Sequence, residues 1–281
     1  MHEFRDKVAV VTGAGSGIGR GMALRFAREG MRVAVSDVES DALDETVQLV
    51  LRDTPDAQLL DRVVDVSDGD AVLALADEVL ELWGGVDLLC NNAGVFVGGF
   101  LWERPIEDLE FTLGVNLYGI LLAIRAFVPR LTARGVEAHV VNTVSVAGLL
   151  GSPYAGPYGI SKFAAFAATE SLAGDLLAVG SPVRAHALCP GTIRTRIAES
   201  ERNRPAALST APTEDREFVE RMLADTVEGG MDPDEVAGIV LEALATPDQF
   251  VILTHPMFAE QVALRGETLA RLQLPDVPRF D

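Results

Sequence analysis

Cysteine is scarce: 281 residues hold two, Cys90 and Cys189. Both lie in apolar, strand-like runs, residues 86–90 and 183–189, which suits buried free thiols and excludes a disulfide framework. The four histidines, His2, His139, His186 and His255, follow no metal-ligand spacing, so no metal is expected. Positive charge is also short. Against 42 Asp and Glu stand 23 Lys and Arg, a formal net charge of −19. Such a surface repels phosphate backbones and anionic membranes, so neither nucleic acid nor membrane is expected as a partner; it favours solubility. Long hydrophobic runs are missing too. The stretch Gly119–Ile124 is cut by Arg125, and no segment is expected to span a bilayer. A hydrophobic strand begins at Val8 after a few polar residues, with no cleavage site behind it. The expectation is a cytoplasmic protein in a reducing compartment.

What is present is alternation. Short runs rich in Val, Leu and Ala lie near 7–12, 32–36, 59–64, 86–90, 138–143, 183–189 and 250–253. They are apolar at nearly every position, as parallel strands covered on both faces are. Helical patterns lie between them, near 18–29, 39–52, 69–82, 105–133, 157–179 and 232–245. This predicts an α/β fold: a Rossmann-type, doubly wound, seven-stranded parallel sheet with helices on both faces. Length and a 48% hydrophobic content fit one domain over 1–281. Residues 194–230 turn polar and charged, which reads as a mobile lid of one or two short helices over the carboxyl edge of the sheet. A tail follows from about 254 to 281.

Thr12-Gly-Ala-Gly-Ser-Gly-Ile-Gly19 follows the first strand and opens a helix. Glycines there allow a tight turn and bring backbone N–H groups up to a pyrophosphate at the helix N-terminus. The candidate contacts are Gly13, Gly15, Ser16, Gly17, Ile18 and Gly19. Asp37, about twenty residues on, can accept both hydroxyls of an adenosine ribose and would repel a 2′-phosphate. No Lys or Arg follows it, which favours NAD over NADP; Arg20 is expected to face solvent. Asp65 with Val66 ends the third strand and suits either the adenine edge or a helix cap near Ser67. Tyr158 and Lys162 stand four apart on a helical pattern and so share a face. An ammonium held there should lower the phenol pKa toward the working pH and make Tyr158 a usable acid or base.

Taken together these residues resemble the short-chain dehydrogenase/reductase family in its compact single-domain form. The glycine loop is similar to the family's Thr-Gly-x-x-x-Gly-x-Gly. Asn91-Asn92-Ala93-Gly94 resembles its strand-four signature. Asn116, Ser145, Tyr158 and Lys162 match its catalytic tetrad, with the usual thirteen-residue step from Ser145 to Tyr158. Pro190-Gly191-Thr-Ile193-Arg-Thr195 resembles the turn that holds the nicotinamide carboxamide. The matches cover about 7–195. A weaker likeness, through 197–205 and the tail, is to aryl-ether Cα-dehydrogenases.

The resemblance implies NAD-dependent oxidation of an alcohol. Tyr158 takes the hydroxyl proton, Lys162 lowers its pKa and holds the nicotinamide ribose, Ser145 orients the substrate oxygen, and Asn116 holds a relay water. It also implies a homodimer or homotetramer, with dimerisation through 105–133 and 157–179. Apolar candidates for the substrate mouth are Phe96, Leu149, Leu150, Tyr154 and Met257, with Val95 and Phe258 nearby, which point to a bulky hydrophobic secondary alcohol or ketone. Arg194, Arg196, Arg202 and Arg204 either meet a substrate carboxylate or pair with local acids. Two rivals stand beside this reading: an NADPH-dependent 3-oxoacyl or ketone reductase, against which Asp37 argues, and a catalytically idle NADH sensor or scaffold, against which the intact tetrad argues.

Overall fold

A computed structural model describes residues 1–276; the end of the expected tail, 277–281, lies outside the described residues. The strands are β1 Val8–Thr12, β2 Arg32–Asp37, β3 Leu59–Val63, β4 Leu88–Asn91, β5 Ala138–Thr143, β6 Val183–Cys189 and β7 Val251–Leu253. They form one sheet in the order β3-β2-β1-β4-β5-β6-β7, every neighbouring pair parallel. The helices are α1 Gly17–Arg28, α2 Ser40–Asp53, α3 Gly69–Trp83, α4 Ile106–Leu113, α5 Gly119–Ala133, α6 Gly156–Ala178, α7 Glu214–Glu228, α8 Pro233–Ala245 and α9 Phe258–Ala270.

Period-two alternation divides the strand side chains between two cores. Ala9, Val11, Val33, Val35 and Leu188 pack under α1, α2 and α8, through Phe26, Leu43 and Val240. Val8, Val10, Ala34, Leu89 and Val140 pack under α3, α5 and α6, through Leu75, Phe127 and Leu172. This is the expected doubly wound architecture. Strand order reverses between β1 and β4, and the cleft opens beyond their carboxyl ends.

Four expectations need correction. First, β3 is not covered on both faces: Asp61, Arg62 and Val63 are exposed, because β3 is an edge strand. Second, the helix expected over 105–133 is broken by a π-helical turn at Gly114–Tyr118, between α4 and α5. Third, Ile106–Ala133 taken as one run is long and apolar enough to cross a bilayer by length and composition. Arg125 lies within it, its side chain exposed, while Ala123, Ala126 and Phe127 face the core. Half of the apolar stretch is buried inside the fold. Fourth, the segment expected as a lid, 194–230, carries a full fifteen-residue helix, α7, after two 3₁₀ turns at Ile197–Asn203 and Ala206–Leu208.

Candidate active site

The glycine loop is locked by its neighbours. Gly13 has φ +66°, and a Cβ there would lie 2.7 Å from Cα of Ala93. Asn92 donates from Nδ2 to the carbonyl of Thr12 at 3.0 Å, and its own N–H donates to Thr12 Oγ1 at 2.9 Å. Thr143 Oγ1 bonds Asn92 Oδ1 at 3.2 Å. The ends of β1, β4 and β5 are thus tied at the switch point. Gly15 N–H donates to Asp37 Oδ2 at 2.8 Å, and Glu39 N–H to Asp37 Oδ1 at 3.0 Å, which fixes the carboxylate at the end of β2. Arg20 does not face solvent as expected. Its guanidinium bonds Thr46 Oγ1, the Gly15 carbonyl and Glu45, tying the loop to α2. Asp65 accepts from Ser67 N–H at 2.8 Å and Ser67 Oγ at 2.7 Å; the cap of α3 is Asp68, not Asp65.

The tetrad residues converge from four segments. Asn116 sits in the π turn, fully buried. Its Oδ1 accepts from Val95 N–H at 2.8 Å; its Nδ2 donates to the Val95 carbonyl and to Ser161 Oγ, both at 2.9 Å. Ser161 in turn donates to the Tyr158 carbonyl at 2.7 Å. Asn116 therefore bolts the loop after β4 to the turn of α6 that carries Tyr158. A π turn adds a residue to the helix and re-aims the side chains around it, a device common at functional sites. Lys162 is buried and donates to the Thr143 carbonyl at 2.9 Å; its Nζ lies 5.6 Å from the centre of the Tyr158 ring. Ser145 Oγ accepts from Ala147 N–H at 3.1 Å.

The electrostatics differ from the simple expectation for an ammonium beside a phenol. Burial pushes the Tyr158 phenol up, the hydrogen bond from Ser145 pulling against it. Burial also pulls Lys162 down to about 8. Both groups resist charging because burial disfavours the charged form, and at 5.6 Å the ammonium does not outweigh that cost. The neighbouring Cys189 thiol is pushed up to about 12 by burial and stays protonated, so it is no nucleophile at neutral pH.

One cavity of about 320 Å³ joins these parts. Its wall carries Gly13, Ser16, Gly17, Ile18, Asp37, Asp65, Val66, Asn92, Ala93 and Gly94. It also carries Pro190, Gly191, Ile193 and Thr195, and with them Ser145, Tyr158, Lys162 and Phe96. Gly15 and Gly19 stand behind the wall, and so does Asn116. The cleft, the glycines that a side chain would clash with and the anchored carboxylate of Asp37 fit a dinucleotide.

Four expected mouth residues are elsewhere. Leu149 and Leu150 pack into a core with Ile120 and Phe166. Tyr154 lines a shallow surface depression with Phe100 and Phe218, and Met257 is 68% exposed. Proximity in sequence to Ser145 and Tyr158 suggested the first three, but the chain turns away on both sides of those residues; Met257 was expected from the tail. The structure supplies others from the lid and α4: Phe111, Leu208, Leu223 and Val227. Ser200, also missed, accepts from Phe96 N–H at 2.9 Å and joins the lid to the loop after β4. No sequence signal marks these residues, because they reach the site through packing of the lid.

A family model, short chain dehydrogenase, matches residues 7–206. The chain belongs to the short-chain dehydrogenase family. That makes the protein an oxidoreductase acting on alcohols or ketones. A family member from Burkholderia phymatum, solved in complex with NAD, superposes with a TM-score of 0.95 at 42% identity, covering 99% of each chain. The CLA biosynthesis dehydrogenase/reductase of Lactiplantibacillus plantarum is 32% identical over all of this chain and 99% of that protein. A C alpha-dehydrogenase of Sphingobium is 32% identical over 90% of this chain and 82% of that protein, in keeping with the weaker likeness read from the sequence.

Proposed function

We propose that this dehydrogenase interconverts a bulky hydrophobic secondary alcohol and its ketone, with NAD as hydride carrier and Tyr158 as acid and base. The observation that supports this best is the sharing of one cavity by Ser145, Tyr158, Lys162, the glycine loop and Asp37. A bound nicotinamide supplies the hydride acceptor, or in reverse the donor. Tyr158 removes the proton from the alcohol oxygen, or returns one to the ketone oxygen. Ser145 donates a hydrogen bond to that same oxygen and steadies the charge that develops on it. Lys162 remains cationic below its depressed pKa of about 8 and favours the phenolate. Asn116 keeps Val95 and the Tyr158 turn in register through its three hydrogen bonds.

Asp37 favours NAD, since its carboxylate accepts a ribose 2′-hydroxyl and repels a 2′-phosphate. The apolar wall of Val95, Phe96, Phe111, Leu208 and Leu223 favours a hydrophobic substrate. The arginines of the lid do not call for a substrate carboxylate. Arg194 pairs with Asp232, Arg196 with Glu199, Arg202 with Glu39, and Arg204 with Glu201 and Asp108. Self-association through α5 and α6 is part of the proposal, supported by exposed Tyr118, Leu121 and Ile160; sedimentation velocity tests it. The deciding experiment measures initial rates of NAD⁺ and NADP⁺ reduction over a panel of bulky secondary alcohols. Turnover with NAD⁺ that vanishes in Tyr158→Phe, while NADH still binds, is the expected result. Turnover retained in that variant removes Tyr158 from the mechanism, and faster turnover with NADP⁺ overturns the cofactor assignment.

A further inference from the structure

Among the contacts that fasten the lid, two groups of ion pairs differ in kind. On the substrate side the ion pairs are built on buried arginines and on Asp108, which is fully buried, although Glu201 and Glu220 reach water. Arg104 meets Asp215 at 3.0 Å and Asp108 at 3.6 Å, and Arg204 meets Asp108 at 2.9 Å. Arg216 pairs with Glu201 and Glu220. The arginine side chains there are 5% exposed or less. On the other side the lid lands on the residue two past Asp37. Glu39 accepts from Arg202 Nε at 2.9 Å and Asn203 Nδ2 at 3.0 Å, with Arg196 at 3.8 Å. Glu39 and Arg202 keep about a quarter of their surface in water, 26% and 25%. Glu39, Arg196, Arg202 and Asn203 line the same cavity as Asp37 and the glycine loop. The lid therefore crosses the dinucleotide cleft at its adenosine end.

Resting on the NAD reading above, we infer that Glu39, Arg202 and Asn203 form a clasp over the adenosine end of the cleft that governs the rate of dinucleotide exchange. A partly hydrated ion pair opens far more readily than a buried network whose members would be left unpaired. Opening therefore begins at Glu39, while the anchor on α4 and α7 keeps the substrate side roofed. The three are positioning residues: they act through the placement of the lid and not on the reacting atoms. Nothing marked Glu39 in the sequence except its place after Asp37.

The test is the dissociation rate of NADH, followed by fluorescence in a stopped-flow instrument with excess NAD⁺ as the displacing ligand. Native protein, Glu39→Gln, Arg202→Ala and the double variant are compared. Each single variant should release NADH at least about tenfold faster, a change in release that exceeds any change in hydride transfer measured in single turnover. The double variant should release it no faster than the faster single one, because both changes break one fastening. Unchanged release in both single variants overturns the clasp while leaving the NAD reading intact. Accelerations that multiply in the double variant overturn it as well, since they would mark two separate contacts with the dinucleotide. A native protein that binds no NADH overturns both readings.

Discussion

Burial acts on Tyr158 and Lys162 in opposite directions, and both shifts bear on the pH profile. The phenol, pushed up, loses its proton only on the alkaline side, so alcohol oxidation should climb with pH and ketone reduction should fall. Lys162→Met removes the cation that favours the phenolate and should lower kcat/KM for oxidation chiefly below about pH 8, where the native lysine is charged, read from log kcat/KM against pH. Stability carries the opposite sign. Lys162 binds its proton less tightly in the fold, near 8, than in the unfolded chain, so its charge is a cost that is complete below about pH 8 and relieved as pH rises beyond it. Lys162→Met should therefore raise the stability at pH 7 by about 1–3 kcal/mol while lowering activity, a trade familiar at strained sites. Urea unfolding measures it. Gly19 makes a different residue-scale case. A Cβ there would sit 2.1 Å from the Gly13 carbonyl oxygen, inside the turn that receives the pyrophosphate. Gly19→Ala should weaken NADH binding at least about tenfold, measured by fluorescence titration, because the backbone itself has to move.

At the scale of elements, the lid anchor behaves as one unit. Asp108 is fully buried and joins Arg104 and Arg204, while Thr210 donates to it at 3.2 Å. Asp108→Ala leaves two guanidinium groups short of a partner and should cost about 3–5 kcal/mol. Breaking the exposed pair of Arg28 with Asp53 should leave the unfolding midpoint nearly unchanged, because solvent screens it. Chemical unfolding of the two variants side by side checks the contrast. This anchor was also the least legible part of the sequence. A charged, proline-bearing stretch reads as a solvated lid, and nothing in its composition says that Arg104 from the loop before α4 will close over Asp215. The sheet was legible because period-two apolar runs between helical patterns leave few alternatives. The glycine loop, Asp37 and the Ser145–Tyr158–Lys162 spacing were legible because their geometry is set within one or two adjacent elements. The π turn at Asn116 was not. Its sequence, Gly-Val-Asn-Leu-Tyr, keeps the helical apolar rhythm on either side, and the extra residue appears only where the turn docks on Val95.

Across the whole molecule, the edge opposite the cleft holds a second buried polar chain. His139 Nδ1 and His186 Nε2 are 2.9 Å apart. Glu137 meets the far side of His139 at 3.3 Å, the amino group of Met1 meets Glu137 at 3.0 Å, and the Gln249 carbonyl meets His186. Burial first, then His186 and the Met1 ammonium, hold His139 down to about 4, against the pull of Glu137; burial, with Arg184 and Met1 adding to it, lowers His186 too. A histidine kept neutral in the fold gives up stability as pH falls from about 6.5 toward 4, where the unfolded chain takes the proton first. Stability should drop by about 1–3 kcal/mol over that window, and His139→Gln should flatten the drop in a series of urea midpoints at pH 7, 6 and 5.

The strand order has a consequence for how the chain is made. β1 pairs with β2 as soon as Arg32–Asp37 has emerged, but its other neighbour, β4, begins at Leu88. The bond from Asn92 N–H to Thr12 Oγ1 spans 80 residues, and Tyr158 is later still. A growing chain therefore carries a three-stranded half with β1 as an open edge, those of its peptide groups directed toward β4 facing no partner, until the ribosome has delivered β4. That interval is when the half-built sheet is most open to pairing with the wrong strand.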